Sequence, residues 1–366
     1  MGLDIGGANT KAALTLFKNK DIIKSFSYIE YFPFWEKTIN DISEMFKRIV
    51  ENLIIRNYFK SNIIDYITVT ITAELSDAFQ TKREGILTIL KALKQVFDKN
   101  KLFFITNQGK FINYTSAKLE HMSIAASNWV STSLFLGYFQ PLCILIDAGS
   151  TTIDIIPIVN SIPVAQGKED ISRILNHELV YTGGLRATIP SITQFVPYQG
   201  KLVRISFEKF ALISDVHLIL GNITDEEYIN DTADKRSKSL ENCYARLSRI
   251  ICMDIETISK EELNKIAEYI YQKQLELIKD EIQEFMSNLV IRFPEFEIEP
   301  KFVITGLAAK FLIRKTLLNL GFTNILSYEE VTNSPNQISS SAFAITGAFY
   351  YQEKGKIKNG NLISDL

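Results

Sequence analysis

Two short stretches of the chain combine an acidic residue with small residues and hydroxyl side chains. The first stretch, LDIGGANTKAAL at residues 3–14, places Asp4 ahead of two adjacent glycines, and an apolar run follows at once. The second stretch, ILIDAGSTTIDIIPI at residues 144–158, places Asp147 ahead of a run of Gly, Ser and Thr. Glycine permits tight turns, and the backbone N–H groups that such turns expose attract phosphate oxygens. The two stretches therefore predict a pair of phosphate-binding turns.

A glycine-rich turn on its own is equally typical of an ordinary β-hairpin. Both stretches, however, have the same order: an apolar β-branched run, an acidic residue, small residues and a second apolar run. We interpret each of them as a strand, a turn and a strand, with the acidic residue near the end of the first strand. The repetition favours two turns that act together as a clamp on phosphate groups.

The segments between the turns predict the elements that must position them. Apolar β-branched runs alternate with segments whose apolar residues recur every three or four positions, which is typical of an α/β protein. We interpret residues 166–258, which include a long polar stretch, as an insertion that binds substrate, with a solvated surface excursion as the alternative. The patterns predict strands over residues 66–72 and 102–106, and helices over residues 35–60, 112–137 and 260–290.

The bulk composition excludes several classes of partner. The 366 residues include 40 basic and 42 acidic side chains, and this balance creates no field for nucleic acid or an anionic membrane. The longest apolar stretch is interrupted by Gln140 and Pro141 and is too short to span a bilayer. Three cysteines without a CxxC spacing favour reduced thiols over disulfides or a zinc site. Since no secretion signal is visible, we expect a cytoplasmic protein that acts on small molecules.

Taken in order, the motifs resemble those of the actin-like ATPase superfamily, which includes sugar kinases, actin and heat-shock ATPases. DIGGANTK matches its first phosphate loop, DAGSTTID its second, and VITGLAAKFL stands in the place of its adenosine loop. The resemblance implies an α/β fold of two domains, residues 1–138 and 139–366, each with an RNase H-like mixed sheet and with a cleft between them. It also implies that Asp4 and Asp147 orient a hydrated Mg²⁺, a hard cation that prefers oxygen ligands.

The third of these segments departs from the superfamily pattern. Ala308 stands where a second close-approach glycine is often found. ATP is therefore a possible ligand of the predicted cleft, and the motifs do not require it as a cofactor.

Within the superfamily the chain resembles the hydantoinase and oxoprolinase-like branch, and more narrowly archaeal proteins linked to tetrahydromethanopterin one-carbon metabolism. The matching segments are TAELSDAF, TKREGI, YTGGLRATIP, SDVHLILG and DTADKRSKS, together with the two turns. Members of this family act in methanofuran biosynthesis, where an aminomethyl-furan methyl diphosphate is condensed with γ-glutamyltyramine and diphosphate is released. The resemblance thus implies a transferase that forms an aryl ether. An ATP-dependent kinase or amide hydrolase, and a nucleotide-binding scaffold without catalysis, stay open as alternatives.

The implied reaction gives roles to particular residues. A departing diphosphate needs hydrogen-bond donors and positive charge, which Mg²⁺ near Asp4 and Asp147 would supply and to which Lys11 would add. The attacking phenol, with an ordinary pKa of about 10, must lose a proton, and Asp215, His217 and Glu74 are the candidate bases. The residues predicted to bind phosphate are Gly6, Gly7, Asn9, Thr10, Gly149, Ser150, Thr151, Thr152 and Gly306.

The γ-glutamyl end of the substrate needs a partner for its carboxylate. An arginine fork suits a carboxylate, and Arg186 follows a glycine pair that would permit close approach. Arg236 and Lys238 are further candidates, with exposed loop charges as the alternative. The residues predicted to bind substrate are Glu74, Thr182, Gly183, Arg186, Arg236 and Lys238.

Overall fold

The computed structural model of the protein describes residues 1–19, 21–55, 64–334 and 340–358. The strands are β1 Gly2–Gly6, β2 Asn9–Lys18, β3 Asp21–Tyr31, β4 Ile67–Thr72, β5 Leu102–Ile105, β6 Phe111–Asn113, β7 Cys143–Ala148, β8 Ile153–Val159, β9 Ile162–Pro163, β10 Leu179–Val180, β11 Phe195–Tyr198, β12 Lys201–Arg204, β13 Phe302–Thr305 and β14 Ile325–Ser327. The helices are α1 Ile39–Val50, α2 Lys82–Val96, α3 Tyr114–Leu119, α4 Asn128–Gly137, α5 Asp170–Leu175, α6 Ile213–Ile219, α7 Leu240–Arg249, α8 Lys260–Arg292, α9 Lys315–Asn319, α10 Tyr328–Thr332 and α11 Ser340–Lys358.

The chain forms two compact units, and neither is continuous in sequence. Unit 1 consists of the described residues of Met1–Cys143 and Ile156–Ser172 and of those from Tyr328 onward. Unit 2 consists of Ile144–Ile155 and Arg173–Ser327. This division differs from a single boundary at residues 138 and 139, because later segments of the chain return to unit 1.

The sheet of unit 1 has the strand order β3-β2-β1-β4-β5-β6. The first three strands form an antiparallel meander, whereas β1, β4 and β5 run parallel to one another. β1 and β4 are buried almost throughout, as expected for parallel strands covered on both faces. In register, Gly6 at the end of β1 is opposite Thr72 at the end of β4.

Helix α11 completes the core of unit 1. Its side chains Phe343, Ile345 and Phe349 are buried. A Cβ atom at Gly2 of β1 would lie 2.1 Å from the carbonyl oxygen of Ala342, so only glycine allows this close approach of helix and strand. The close packing of α11 on β1 thus completes the core on one face of the first sheet.

The sheet that contains the second turn repeats this plan. Its strand order is β10-β8-β7-β13-β14, and β9 pairs with β8. β13 runs parallel to both β7 and β14, whereas β10 is antiparallel to β8. The two mixed sheets confirm the predicted fold class, α/β with a duplicated mixed sheet.

The structure corrects the single helix predicted over residues 112–137. That segment contains β6, α3, a 3₁₀ turn at His121–Ile124 and α4. The break follows from Ala125 and Ala126: Ala125 forms a parallel bridge with Ile71, and Ala126 has a φ of 46°. A left-handed residue ends a right-handed helix, and apolar periodicity does not reveal it.

Other predicted elements are confirmed. β4, β5 and α8 lie where the patterns place them, whereas α1 is shorter than residues 35–60 and residues 56–63 lie outside the described part of the chain. Within the described residues, no helix has the length and apolarity to span a bilayer.

Candidate active site

The first turn, residues 6–9, joins β1 to β2 in unit 1. The carbonyl oxygens of Gly7 and Ala8 accept hydrogen bonds from the amides of Phe34 and Phe32, at 3.1 and 2.9 Å. Because a trans peptide is planar, the amide that follows each carbonyl points to the opposite side. Contacts made just beyond β3 therefore fix which side of the turn presents N–H groups.

Asp4 lies on β1 next to this turn and is almost completely buried. The hydroxyl of Ser341 donates a hydrogen bond to Asp4 Oδ2, and Lys11 Nζ lies 3.7 Å from the same oxygen. Thr10 has a fully buried hydroxyl with no hydrogen-bond partner among the described residues. The structure thus brings Asp4 and Lys11 together and adds Ser341, which no local motif indicated because it lies on α11.

The second turn, residues 149–152, joins β7 to β8 and belongs to unit 2. Its three consecutive carbonyls from Gly149 to Thr151 accept hydrogen bonds of 2.9–3.1 Å from the backbone amides of residues 183–186. The amides of residues 150–152 consequently point to the other side of the turn. The amide of Gly149 instead donates to the carbonyl of Thr152 at 2.9 Å and closes the turn. Three adjacent N–H donors on one side are suited to an anion.

The glycine pair of YTGGLRA supports the second turn through close backbone packing. A Cβ atom at Gly183 would lie 2.6 Å from both the carbonyl carbon of Ser150 and the amide nitrogen of Thr151. These are backbone atoms, so any side chain at residue 183 would displace the turn itself. We interpret Gly183 as a residue that shapes the second turn. Arg186, three residues later, is exposed.

The loop after β13 lies against Asp147. Thr305 is in register with Asp147 across the parallel pair of β13 and β7. Gly306 has a φ of +92°, and a Cβ atom there would lie 2.3 Å from the Ala148 carbonyl oxygen and 2.7 Å from Asp147 Oδ1. The amide of Ala308 donates to that same Ala148 carbonyl at 2.9 Å. Gly306 therefore lets its loop approach the end of β7, which carries Asp147.

Gln274 and His217 are fully buried, and Gln274 contacts the segment that packs on the second turn. Gln274 Nε2 donates to Thr182 Oγ1 at 3.0 Å and to the Gly183 carbonyl at 3.1 Å. Gln274 Oε1 is left to accept from His217 Nε2 at 3.0 Å, and His217 Nδ1 accepts from Asn222 Nδ2 at 3.2 Å. Burial lowers the pKa of His217 to about 3 and keeps the ring neutral. Both ring nitrogens have partners, which favours a structural role over that of a base.

Asp215 lies in a second buried network. Its Oδ1 accepts from the Tyr228 hydroxyl at 2.9 Å and lies 2.8 Å from Arg246 Nη2, and its Oδ2 accepts from the Leu212 amide at 3.0 Å. The Asp215 and Arg246 side chains are both fully buried. These contacts occupy the Asp215 carboxylate and favour a structural role over the catalytic role predicted for it.

The two cations of DTADKRSKS border this network. Arg236 is exposed, with its Nε 3.9 Å from Asp234 Oδ2. The ammonium of Lys238 donates to the carbonyl of Tyr228. Asp234 in turn pairs with Arg246 at 3.1 Å. Their binding of substrate stays a prediction.

Glu74 differs from the other two candidate bases. It follows β4 in unit 1, is buried, and its Oε2 has no hydrogen-bond partner in the described part of the chain. Burial raises the pKa of Glu74 to about 7, and the charge of Asp170 adds to the effect. Of the three predicted bases, Glu74 therefore has a carboxyl oxygen that is not already committed to the fold.

The carboxylates near the turns are too few to form a metal site by themselves. Among the described residues, no three His, Cys, Asp or Glu side chains form a metal-binding group. Each turn instead follows a strand that carries an aspartate, Asp4 before the first turn and Asp147 before the second. Mg²⁺ is commonly held by one or two carboxylates together with substrate phosphates, so this donor set fits an ion that arrives with a phosphate substrate.

Fold and turns together describe an α/β protein with duplicated mixed sheets, each carrying an acidic residue beside a turn with aligned amides. Residues 65–354 match the family model described as hydantoinase/oxoprolinase, and the chain belongs to this family.

Two curated relatives make the comparison more specific. A (4-{4-[2-(γ-L-glutamylamino)ethyl]phenoxymethyl}furan-2-yl)methanamine synthase of Methanocaldococcus jannaschii is 34% identical over 346 residues, which cover 94% of this chain and 96% of the relative. A protein of the same name from Methanococcus vannielii is 31% identical over 206 residues, 56% of this chain and 89% of that protein. Among solved structures, MreB5 of Spiroplasma citri bound to AMPPNP aligns over 98% of both chains with 13% identity and a TM-score of 0.48.

Proposed function

We propose that this chain is a transferase of methanofuran biosynthesis. It condenses an aminomethyl-furan methyl diphosphate with γ-glutamyltyramine to form an aryl ether and releases diphosphate. The observation that carries the proposal is the 34% identity to the synthase of Methanocaldococcus jannaschii, which extends over 94% of this chain. A match that covers 94% of the chain includes the second turn, which lies far from both ends.

The name of that relative contains a phenoxymethyl group, which is a bond between a phenol oxygen and the methylene carbon of a furan. Forming this bond requires that the phenol lose its proton and that a group leave the methylene carbon. Diphosphate is a suitable leaving group if its growing negative charge is stabilised. The three aligned amides of residues 150–152 support such a role for the second turn.

We assign further charge stabilisation to Lys11 and to a Mg²⁺ ion held by Asp4 or Asp147 with the phosphate oxygens. Such an ion neutralises charge on the departing diphosphate when it is bound. Lys11 is about one-third exposed, so its ammonium has access to a ligand as well as to Asp4. The proposed setting is the cytoplasm, with small-molecule substrates and no nucleic-acid partner.

The test is an assay of the purified protein with Mg²⁺, γ-glutamyltyramine and the furan diphosphate, followed by mass spectrometry, with and without ATP. We expect ether and diphosphate without ATP. Asp147→Asn should lower the rate by about 10²-fold or more, because it removes a charge-stabilising carboxylate. Asp225→Asn, at an exposed residue of unit 2, is the matched control and should keep the wild-type rate.

Absence of the ether, together with hydrolysis of ATP alone, would overturn the proposal and favour the ATP-dependent alternatives. Hydrolysis of ATP to ADP and phosphate that accompanies ring opening of a hydantoin or oxoproline substrate would identify the amide hydrolase among them. Tight nucleotide binding without turnover would identify the scaffold.

A further inference from the structure

Glu74 lies in unit 1, in the loop that follows β4 and passes beside the first turn. β4 runs parallel to β1 as far as the pair of Thr72 with Gly6, and Glu74 follows two residues later. Ser76 lies beside the turn, since its Cβ atom would be 3.9 Å from a Cβ atom at Gly7. The segment that carries Glu74 is therefore a neighbour of the first of the two turns that are predicted to bind phosphate.

The carboxyl group of Glu74 has one oxygen without a hydrogen-bond partner among the described residues. The side chain is only 2% exposed, and Oε2 has no hydrogen-bond partner among the described residues. A buried polar atom without a partner is destabilising, because it has lost its hydrogen bonds to water. A ligand hydroxyl that donates to Oε2 would remove this cost.

The backbone next to Glu74 is closely packed, and one residue there has a left-handed conformation. A Cβ atom at Gly85 of α2 would lie 2.9 Å from both the Cα atom and the carbonyl oxygen of Glu74, so only glycine lets the helix pack here. Ala126, whose backbone amide interacts with the Glu74 carboxyl, has a φ of 46°. A left-handed alanine is strained and persists where its surroundings enforce it, commonly at functional sites.

Charged side chains of α5 and α2 act on the Glu74 carboxyl. Burial is the largest cause of the raised pKa of Glu74. The charge of Asp170 of α5 raises this pKa further, whereas the charge of Lys82 of α2 lowers it. Lys82 Nζ and Asp170 Oδ2 lie 3.9 Å apart and partly neutralise each other. A carboxylate whose pKa is raised toward 7 is a stronger base for a phenol than an exposed carboxylate with an ordinary pKa.

We propose that Glu74 is the base that accepts the proton of the phenol hydroxyl during ether formation, an inference that rests on the proposed function. The O–H bond of the phenol breaks as its proton passes to Glu74 Oε2. The phenol oxygen then forms a bond to the furan methylene carbon, and the bond from that carbon to the diphosphate oxygen breaks with its electron pair on diphosphate. The proton leaves Glu74 for solvent after release of the products.

The experiment compares wild type with Glu74→Gln on γ-glutamyl conjugates of tyramine and of ring-fluorinated tyramines, whose phenols are progressively more acidic. With tyramine, kcat/KM of Glu74→Gln should fall by about 10²–10⁴-fold, as is typical on loss of a general base. With a phenol already ionised at the assay pH, the deficit should shrink to about tenfold or less, since no proton has to be removed. Asp77→Asn, an exposed carboxylate in the same loop, is the matched control and should match wild type on every phenol.

Two results would overturn the inference: a Glu74→Gln rate equal to wild type, or a deficit that stays constant across the phenol series, as a purely structural role requires. Glu74→Asp, which keeps a carboxyl group, supports the base role if it regains part of the tyramine rate. Absence of ether from the wild type would instead overturn the proposed function and the inference with it. The wild-type reaction thus separates the two failures.

Discussion

At the scale of single residues, the partners of a buried polar atom decide what its side chain can do. Asp215, His217 and Glu74 are all nearly or completely buried. Arg246, Tyr228 and the Leu212 amide occupy the Asp215 carboxylate, and Gln274 and Asn222 occupy the His217 ring. Glu74 alone among these three has an oxygen without a partner in the described part of the chain.

The buried carboxyl of Glu74 predicts a stability that depends on pH. Its pKa is raised from 4.5 to about 7, so between these values the folded protein binds more protons than the unfolded chain. The favourable contribution of the protonated form is complete below pH 4.5 and is lost as the pH rises through 7. A tenfold change in proton affinity on folding corresponds to about 1.4 kcal/mol of stability.

We therefore expect Glu74→Gln to be more stable than wild type by about 1–3 kcal/mol at pH 8, with a difference that disappears near pH 4.5. Urea unfolding of both proteins across this range measures it. Asp77→Asn serves as the exposed control. Parallel stability curves for wild type and Glu74→Gln would contradict the raised pKa without bearing on the assignment of the reaction.

At the scale of elements, the second turn depends on segments far from it in sequence. The backbone amides of residues 183–186 donate hydrogen bonds to its carbonyls. Gln274 of α8 donates to Thr182 and Gly183, and His217 of α6 donates to Gln274 and so orients it. Removing a link in this chain of contacts should change the turn, even though none of these side chains is proposed to touch diphosphate.

Gly183→Ala tests this dependence. The added methyl group would overlap backbone atoms of the turn at 2.6 Å, so the three amides should lose their alignment. We expect KM for the furan diphosphate to rise by about tenfold or more, on the scale of one lost charge-assisted hydrogen bond. Initial rates at varied diphosphate substrate measure the effect.

Gly321→Ala is the matched control for Gly183→Ala. Gly321 has a φ of +86° and no atom within 4 Å of its would-be Cβ atom. Its substitution should cost about 1–2 kcal/mol of stability through backbone strain and leave KM unchanged. An unchanged KM for Gly183→Ala would show that the segment does not shape the turn.

At the scale of the whole molecule, unit 1 is assembled from distant parts of the chain. Phe343, Ile345 and Phe349 of α11 are buried against it, and burying each such side chain contributes about 1.5–3 kcal/mol. Their sum is comparable with the net stability of about 5–15 kcal/mol of a typical protein. A chain that ends at residue 327 should therefore fail to fold unit 1.

Limited proteolysis with mass spectrometry measures this outcome. The full chain should resist cleavage within the described strands β1–β5, whereas the shortened chain should be cleaved there. Ile345→Ala in the full chain should give a graded loss of about 2–5 kcal/mol. Protection of β1–β5 in the shortened chain would contradict the contribution of α11.

Local patterns determined much of this protein before any contact was known. Alternation of apolar runs predicted the strands and helices, and the acidic and small residues around Asp4 and Asp147 predicted both turns, because strand ends and tight turns depend on nearby residues. The single helix predicted over residues 112–137 is divided in the structure, and one division lies at Ala126, whose φ is 46° and whose neighbour Ala125 forms a bridge with Ile71 of β4.

Only the tertiary structure decided which partners the candidate residues have. Asp215 meets Arg246, and Gln274 meets Thr182, across separations of 31 and 92 residues. Ser341 reaches Asp4 across 337 residues. Burial and hydrogen bonding are properties of neighbours in space, and such neighbours leave no period in a sequence. Local sequence therefore determined where the two turns form, and folding determined which candidate carboxyl keeps an oxygen without a hydrogen-bond partner among the described residues.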